Sequence, residues 1–111
     1  MKDREAVTTN GRAVFYAAMW SDLRQAALDK GWALALHGSL ASDMDIMAMP
    51  WVKEASGPLE MIQSLKNCFS EPKKITLEIH KRECNRTAYV LSIWADFYLD
   101  ISVIEIPKNY C

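Results

Sequence analysis

The stretch that decides the fold is residues 32–49, WALALHGSLASDMDIMAM. An apolar run, Trp32-Ala33-Leu34-Ala35-Leu36, ends in His37-Gly38-Ser39. After Leu40-Ala41-Ser42 come Asp43 and Asp45, then a second apolar run over residues 46–49 that Pro50 stops. Both runs are too short and too uniformly apolar for surface helices. They are predicted as two strands buried on both faces, joined by a tight turn. Side chains alternate faces along a strand, so Asp43 and Asp45 point the same way if both are extended.

Working outward, the segment before this stretch is helical. Over residues 12–30, Phe15, Met19, Leu23 and Ala26 or Ala27 recur at helical spacing, with Thr8, Thr9 and Asn10 ahead as cap oxygens and Gly31 as a left-handed stop. Downstream, residues 53–57 read as a loop. Pro58 suits a first helical turn, and Leu59, Ile62, Leu65 and Phe69 mark one face until Pro72. The period then changes to two. Ile75, Leu77 and Ile79 alternate with Thr76, Glu78 and His80, as in a half-buried strand. Asn85 suits a turn. Residues 87–94 and 97–106 read as two further strands with Ala95-Asp96 as the hairpin turn. The predicted order is αββαβββ: an α+β fold in which a mixed sheet of about five strands carries two helices on one face.

Composition narrows the function classes. The 111 residues fit one domain, 1–111, with residues 1–11 polar and loosely held. Thirteen basic and fourteen acidic residues, net charge -1, argue against a stand-alone nucleic-acid binder. Cys68, Cys84 and Cys111 are odd in number and lack CxxC spacing, so neither a disulfide framework nor a zinc site is expected. The start is polar and mixed in charge, unlike a signal peptide, and no segment is long and apolar enough to span a bilayer. A cytoplasmic protein without membrane association is expected.

The carboxylates carry the chemistry. Asp43 and Asp45 open a strand that should be buried, and Asp100 lies inside the apolar run Tyr98-Leu99-Asp100-Ile101-Ser102-Val103. Like charges held close are costly unless a cation lies between them, and oxygen ligands suit Mg2+ or Mn2+. The bland alternatives are a polar turn for the Asp pair, and an ion pair or an open strand face for Asp100.

Gly38-Ser39 at a strand end, Asp43-x-Asp45 opening the next strand and a lone Asp100 in a later strand resemble the DNA polymerase β-like nucleotidyltransferase superfamily. The pattern is similar in particular to its minimal phage and prophage members. The resemblance implies that Asp43, Asp45 and Asp100 hold Mg2+ or Mn2+, and that Asp100 is also catalytic by orienting or deprotonating the acceptor. It implies that Gly38 and Ser39 hold phosphate oxygens of a nucleoside triphosphate, whose nucleotidyl group passes to a hydroxyl acceptor of unknown identity. The connection between Gly-Ser and the Asp pair is shorter than is usual in the family and lacks Lys or Arg. Charge for a triphosphate then falls to Lys53, Lys81, Arg82 or Arg86, each of which reads more readily as an ordinary solvated residue.

Other residues read more plainly. His37 at a strand end is structural or touches a phosphate, and His80 has no ligand-spaced partner. Ser39 lacks the GxSxG context of a hydrolase nucleophile. Asp96 suits its turn, and Trp51 packs on the second helix or stacks on a base. A non-catalytic module of the same fold, binding a nucleotide or a protein, is the alternative to an enzyme. Four tryptophans and an open edge at the last strands predict a homodimer.

Overall fold

The structure is a computed structural model and describes residues 11–40 and 42–104. Helix α1 covers Gly11–Asp29 and is followed by β1, Trp32–His37, and β2, Asp43–Pro50. Helix α2 covers Pro58–Lys66, and a short 3-10 turn covers Pro72–Lys74. Strands β3, Thr76–Lys81, β4, Arg86–Trp94, and β5, Phe97–Ile104, complete the described chain. The strands form one mixed sheet in the order β1-β2-β5-β4-β3, parallel only between β2 and β5. This is the α+β architecture that the change of period predicts.

Alternation decides what each face of the sheet carries. Met44, Ile46 and Ala48 of β2, Leu99, Ile101 and Val103 of β5, and Tyr89, Leu91 and Ile93 of β4 point to one side. There they meet Tyr16, Leu23 and Ala27 of α1 and Met61, Ile62 and Leu65 of α2. Each fully buried large apolar side chain contributes about 1.5–3 kcal/mol. That core supports costly polar groups on the other face, which carries Asp43, Asp45, Tyr98, Asp100 and Ser102.

Gly31 ends α1 as expected. Its φ is +83°, and an added Cβ would lie 2.8 Å from the Cα of Ala55, so both conformation and space require glycine. The loop after β2 folds back on this turn. The Trp51 and Ser56 N–H groups donate to the Gly31 and Lys30 carbonyls, and the Trp32 indole N–H donates to the Ser56 carbonyl.

Several details differ from the sequence reading. Neither β1 nor β2 is buried on both faces: β1 is a sheet edge with residues 35–37 exposed, and β2 buries only its helix-facing side, with Met49 exposed. The apolar composition of β1 resembles that of a central strand, but its partner lies on one side only. The second strand does open at Asp43, as expected, with both carboxylates in the ladder. Leu59 is 57% exposed and Met61 takes the core position, because α2 starts at Pro58 and turns Leu59 outward. Pro72 opens a 3-10 turn rather than only closing a helix. Ile79 is 50% exposed because β3 is the other edge. The last strands, β4 and β5, are interior, so the open edges lie at β1 and β3. Residues 105 and 106 of the predicted final strand, the cap residues 8–10 and Cys111 lie outside the described residues.

Candidate metal centre

Register brings the carboxylates together. In the parallel pairing Asp45 lies beside Asp100 and Asp43 beside Tyr98, and in the antiparallel pairing His37 lies beside Asp45. One row across the open face therefore reads His37, Asp45, Asp100, Val90, Glu78. An oxygen from each of Asp43, Asp45 and Asp100 lies within 4.8 Å of the other two. All three residues are half-buried.

Electrostatics make this cluster unfavourable without a cation. Burial raises the Asp45 carboxyl above the usual range; nearby His37 opposes the rise, and the charges of Asp100 and Asp43 add to it. Asp100 Oδ1 is enclosed without a hydrogen-bond partner, the only such side-chain atom among the described residues. Leaving a charged acceptor unsatisfied costs more than leaving a neutral one. None of the three Asp residues is ion-paired to Lys or Arg among the described residues. Three converging carboxylates and an unsatisfied oxygen fit a hard divalent cation such as Mg2+ or Mn2+.

Gly38 is placed by the same cluster. Its φ is +77°, and an added Cβ would lie 2.5 Å from Asp45 Oδ2. The bare backbone is what lets the Asp45 carboxylate approach the end of β1. Ser39 and Leu40 follow, with Leu40 also left-handed at φ 63°.

Tyr16 is a site-supporting residue that the sequence reading missed. It is fully buried on α1, and its hydroxyl donates to the Ser42 carbonyl at 2.8 Å while accepting from the Tyr98 N–H at 2.9 Å. One side chain thus ties the residue before Asp43 to the start of the strand carrying Asp100. Burial raises its phenol above the ordinary value; the Tyr98 hydrogen bond opposes that rise and the Asp43 charge adds to it. Around it, Phe15 packs edge-on against Phe97 and Trp94, with ring centroids 5.1 and 4.9 Å apart. The available signal was the helical spacing of Tyr16 to Leu23 and Ala27, two residues that also belong to the stripe Phe15 starts.

The remaining candidates separate from the cluster. Asp96 pairs with Arg12 at 3.1 Å on the surface. His80 lies 3.9 Å from Glu78. Trp51 is 69% exposed. Lys53, Lys81 and Arg82 are exposed and Arg86 is half-buried, and among the described residues none of them is ion-paired to a carboxylate of the cluster. Among the described residues no helix is long and apolar enough to cross a membrane.

No family model and no curated protein matches the sequence. The structure is similar to that of a cytoplasmic RNA terminal U-transferase, at 19% identity and a TM-score of 0.51. The match covers 82% of this chain and 28% of that one. The chain thus spans under a third of that protein, and what the two share is a nucleotidyltransferase-like fold.

Proposed function

We propose that this chain is a divalent-metal-dependent nucleotidyltransferase of the DNA polymerase β-like superfamily, nearest in its αββαβββ order to the minimal phage and prophage members. The observation that carries this reading is the convergence of Asp43, Asp45 and Asp100, with Asp100 Oδ1 unsatisfied, on the helix-free face of this fold. Asp43, Asp45 and Asp100 hold Mg2+ or Mn2+. The bound ion supplies charge stabilisation for phosphoryl transfer and lowers the pKa of the attacking hydroxyl. The Gly38 backbone and the Ser39 hydroxyl hold phosphate oxygens of the nucleoside triphosphate. Asp100 orients the acceptor hydroxyl and takes its proton. The new bond is from acceptor oxygen to the α-phosphorus, the α–β bridging bond breaks, and pyrophosphate leaves.

A second reading, a nucleotide- or protein-binding module without turnover, is supported by the lack of Lys or Arg in the short connection between Gly38-Ser39 and Asp43. Thermal unfolding with and without Mn2+ plus a nucleoside triphosphate tests the enzyme reading. Wild type should gain about 2.7 kcal/mol at one hundred times the dissociation constant, and Asp45→Asn should gain almost nothing. No shift in wild type removes the support for the enzyme. A shift without pyrophosphate release, across hydroxyl acceptors from nucleosides to oligonucleotides, favours the module.

Self-association belongs to the same proposal. Strand β1 is an open edge with no Lys, Arg, Asp or Glu, whereas the β3 edge carries Glu78 and Lys81. Charged edges resist pairing, so β1 is the edge that a second copy joins.

A further inference from the structure

Strand β3 is an edge, and its ladder fixes which backbone groups it leaves open. The Arg82 N–H donates to the Arg86 carbonyl at 2.7 Å, which makes this a hydrogen-bonded position of the antiparallel β3–β4 pairing. Hydrogen-bonded and non-hydrogen-bonded positions alternate along such a pair. Thr76, Glu78 and His80 therefore turn their N–H and C=O groups toward β4, whereas Leu77, Ile79 and Lys81 turn theirs outward. The side chains of these three outward-bonding residues stand on the helix side of the sheet, in line with Leu91, Tyr89 and Thr87. The helices leave them partly uncovered: Ile79 is 50% exposed, Leu77 is half-buried and Lys81 is exposed. At the start of the strand the apolar surface continues into a cleft of about 360 Å³ whose apolar lining is Phe69, Ile75, Ile93 and Trp94.

Charge decides what this edge refuses and what it accepts. Lys73 and Lys74 precede the strand, and Lys81, Arg82 and Arg86 close it, with Lys81 on the helix side and Arg86 on the open side. Among the described residues only Lys74 of these five is ion-paired, to Glu71 at 3.3 Å. Residues 71–86 hold five Lys and Arg against three Glu, which leaves eight basic and eleven acidic residues for the rest of the chain. Because both ends of β3 are basic, a second copy of this edge would bring Lys and Arg against Lys and Arg in either direction. An acidic strand meets attraction at the same places. We propose that the β3 edge accepts an extended acidic segment of a partner protein as a sixth strand of the sheet. The open N–H and C=O groups of Leu77, Ile79 and Lys81 give it main-chain hydrogen bonds, its apolar side chains cover Leu77 and Ile79, and its carboxylates meet the basic ends. This docking leaves the β1 edge and the carboxylate cluster free and does not depend on turnover there.

The test is fluorescence anisotropy of the full chain with a short labelled peptide of alternating valine and threonine between pairs of glutamate. Wild type should bind, and more weakly as salt rises. Lys81→Glu/Arg82→Glu should bind roughly tenfold more weakly. Ile79→Ser, which removes the apolar contact without changing charge, should also lose roughly tenfold. Lys53→Glu reverses a charge on the loop after β2 and should bind as wild type, as should Asp45→Asn. A peptide with a central proline keeps its charge but cannot complete the ladder, and should bind far more weakly. Amide hydrogen exchange supplies a signature that charge attraction alone does not: on adding peptide to wild type, the N–H groups of Leu77, Ile79 and Lys81 should slow. That measurement needs no variant, so it decides the matter even where a substitution fails to fold. Unchanged exchange at these three residues, equal binding of the proline peptide, equal weakening in Lys53→Glu, or no wild-type binding at about 1 mM peptide overturns the proposal. A single-stranded oligonucleotide that displaces the peptide at lower concentration than unlabelled peptide also overturns it, and makes the basic ends a nucleic-acid surface instead.

Discussion

Asp45 stands between a histidine and two carboxylates, and its protonation links the site to stability. Its pKa is raised in the folded chain, so the folded state holds a proton that the unfolded state has released. Stability therefore falls as pH rises from about the ordinary value of 3.8 through the raised one, and the penalty is complete above it. Asp45→Asn removes that penalty. Without metal at neutral pH the variant should unfold slightly higher than wild type, by less than about 1 kcal/mol once solvent screening is counted. Its stability should also depend less on pH between acid and neutral. Thermal unfolding across that range checks both, and a variant less stable at every pH would make Asp45 a structural cap instead. That Asp43 and Asp45 share a face was legible from their spacing. Their nearness to Asp100 was expected only from the family resemblance, because residue spacing carries no register between strands remote in sequence.

At the scale of elements, α1 does more than cover the sheet. Tyr16 links it to the turn before β2 and to the first residues of β5, two segments that nothing local in the sequence connects. Tyr16→Phe keeps the ring and removes the hydroxyl, leaving the Tyr98 N–H and the Ser42 carbonyl without this partner. The expected destabilisation is about 1–3 kcal/mol by denaturant unfolding. Mn2+ affinity, measured by calorimetry, should fall as well, because the strands carrying Asp43 and Asp100 are no longer tied together. Unchanged Mn2+ affinity at reduced stability would confine Tyr16 to packing. The helices and strands themselves were readable from the switch between helical and alternating periods. Edge positions were not: Trp32-Ala33-Leu34-Ala35-Leu36 has interior composition and Leu77 and Ile79 alternate as in any half-buried strand, and only the sheet order places β1 and β3 at the rims.

For the whole molecule, the asymmetry of the two edges decides where a second copy would pair. Pairing β1 with its counterpart in a second copy would extend the sheet without bringing charges together. Sedimentation of wild type should show a dimer that grows with concentration. Ala35→Lys, which puts a charge on that edge, should sediment as monomer with its stability within about 0.5 kcal/mol of wild type. Monomer alone at high wild-type concentration would remove the β1 interface.

The parallel seam between β2 and β5 has a kinetic consequence. The segments it joins are separated by α2 and by β3 and β4, so this pairing closes a long loop of the chain, and loop-closure entropy makes such pairings slow to form. The seam is also where Asp45 meets Asp100. The strand pairing that closes the longest loop and the meeting of like charges are then one event on the folding route. A cation able to bridge the two strands acts on the rate at which the chain reaches its native topology, as well as on the finished site.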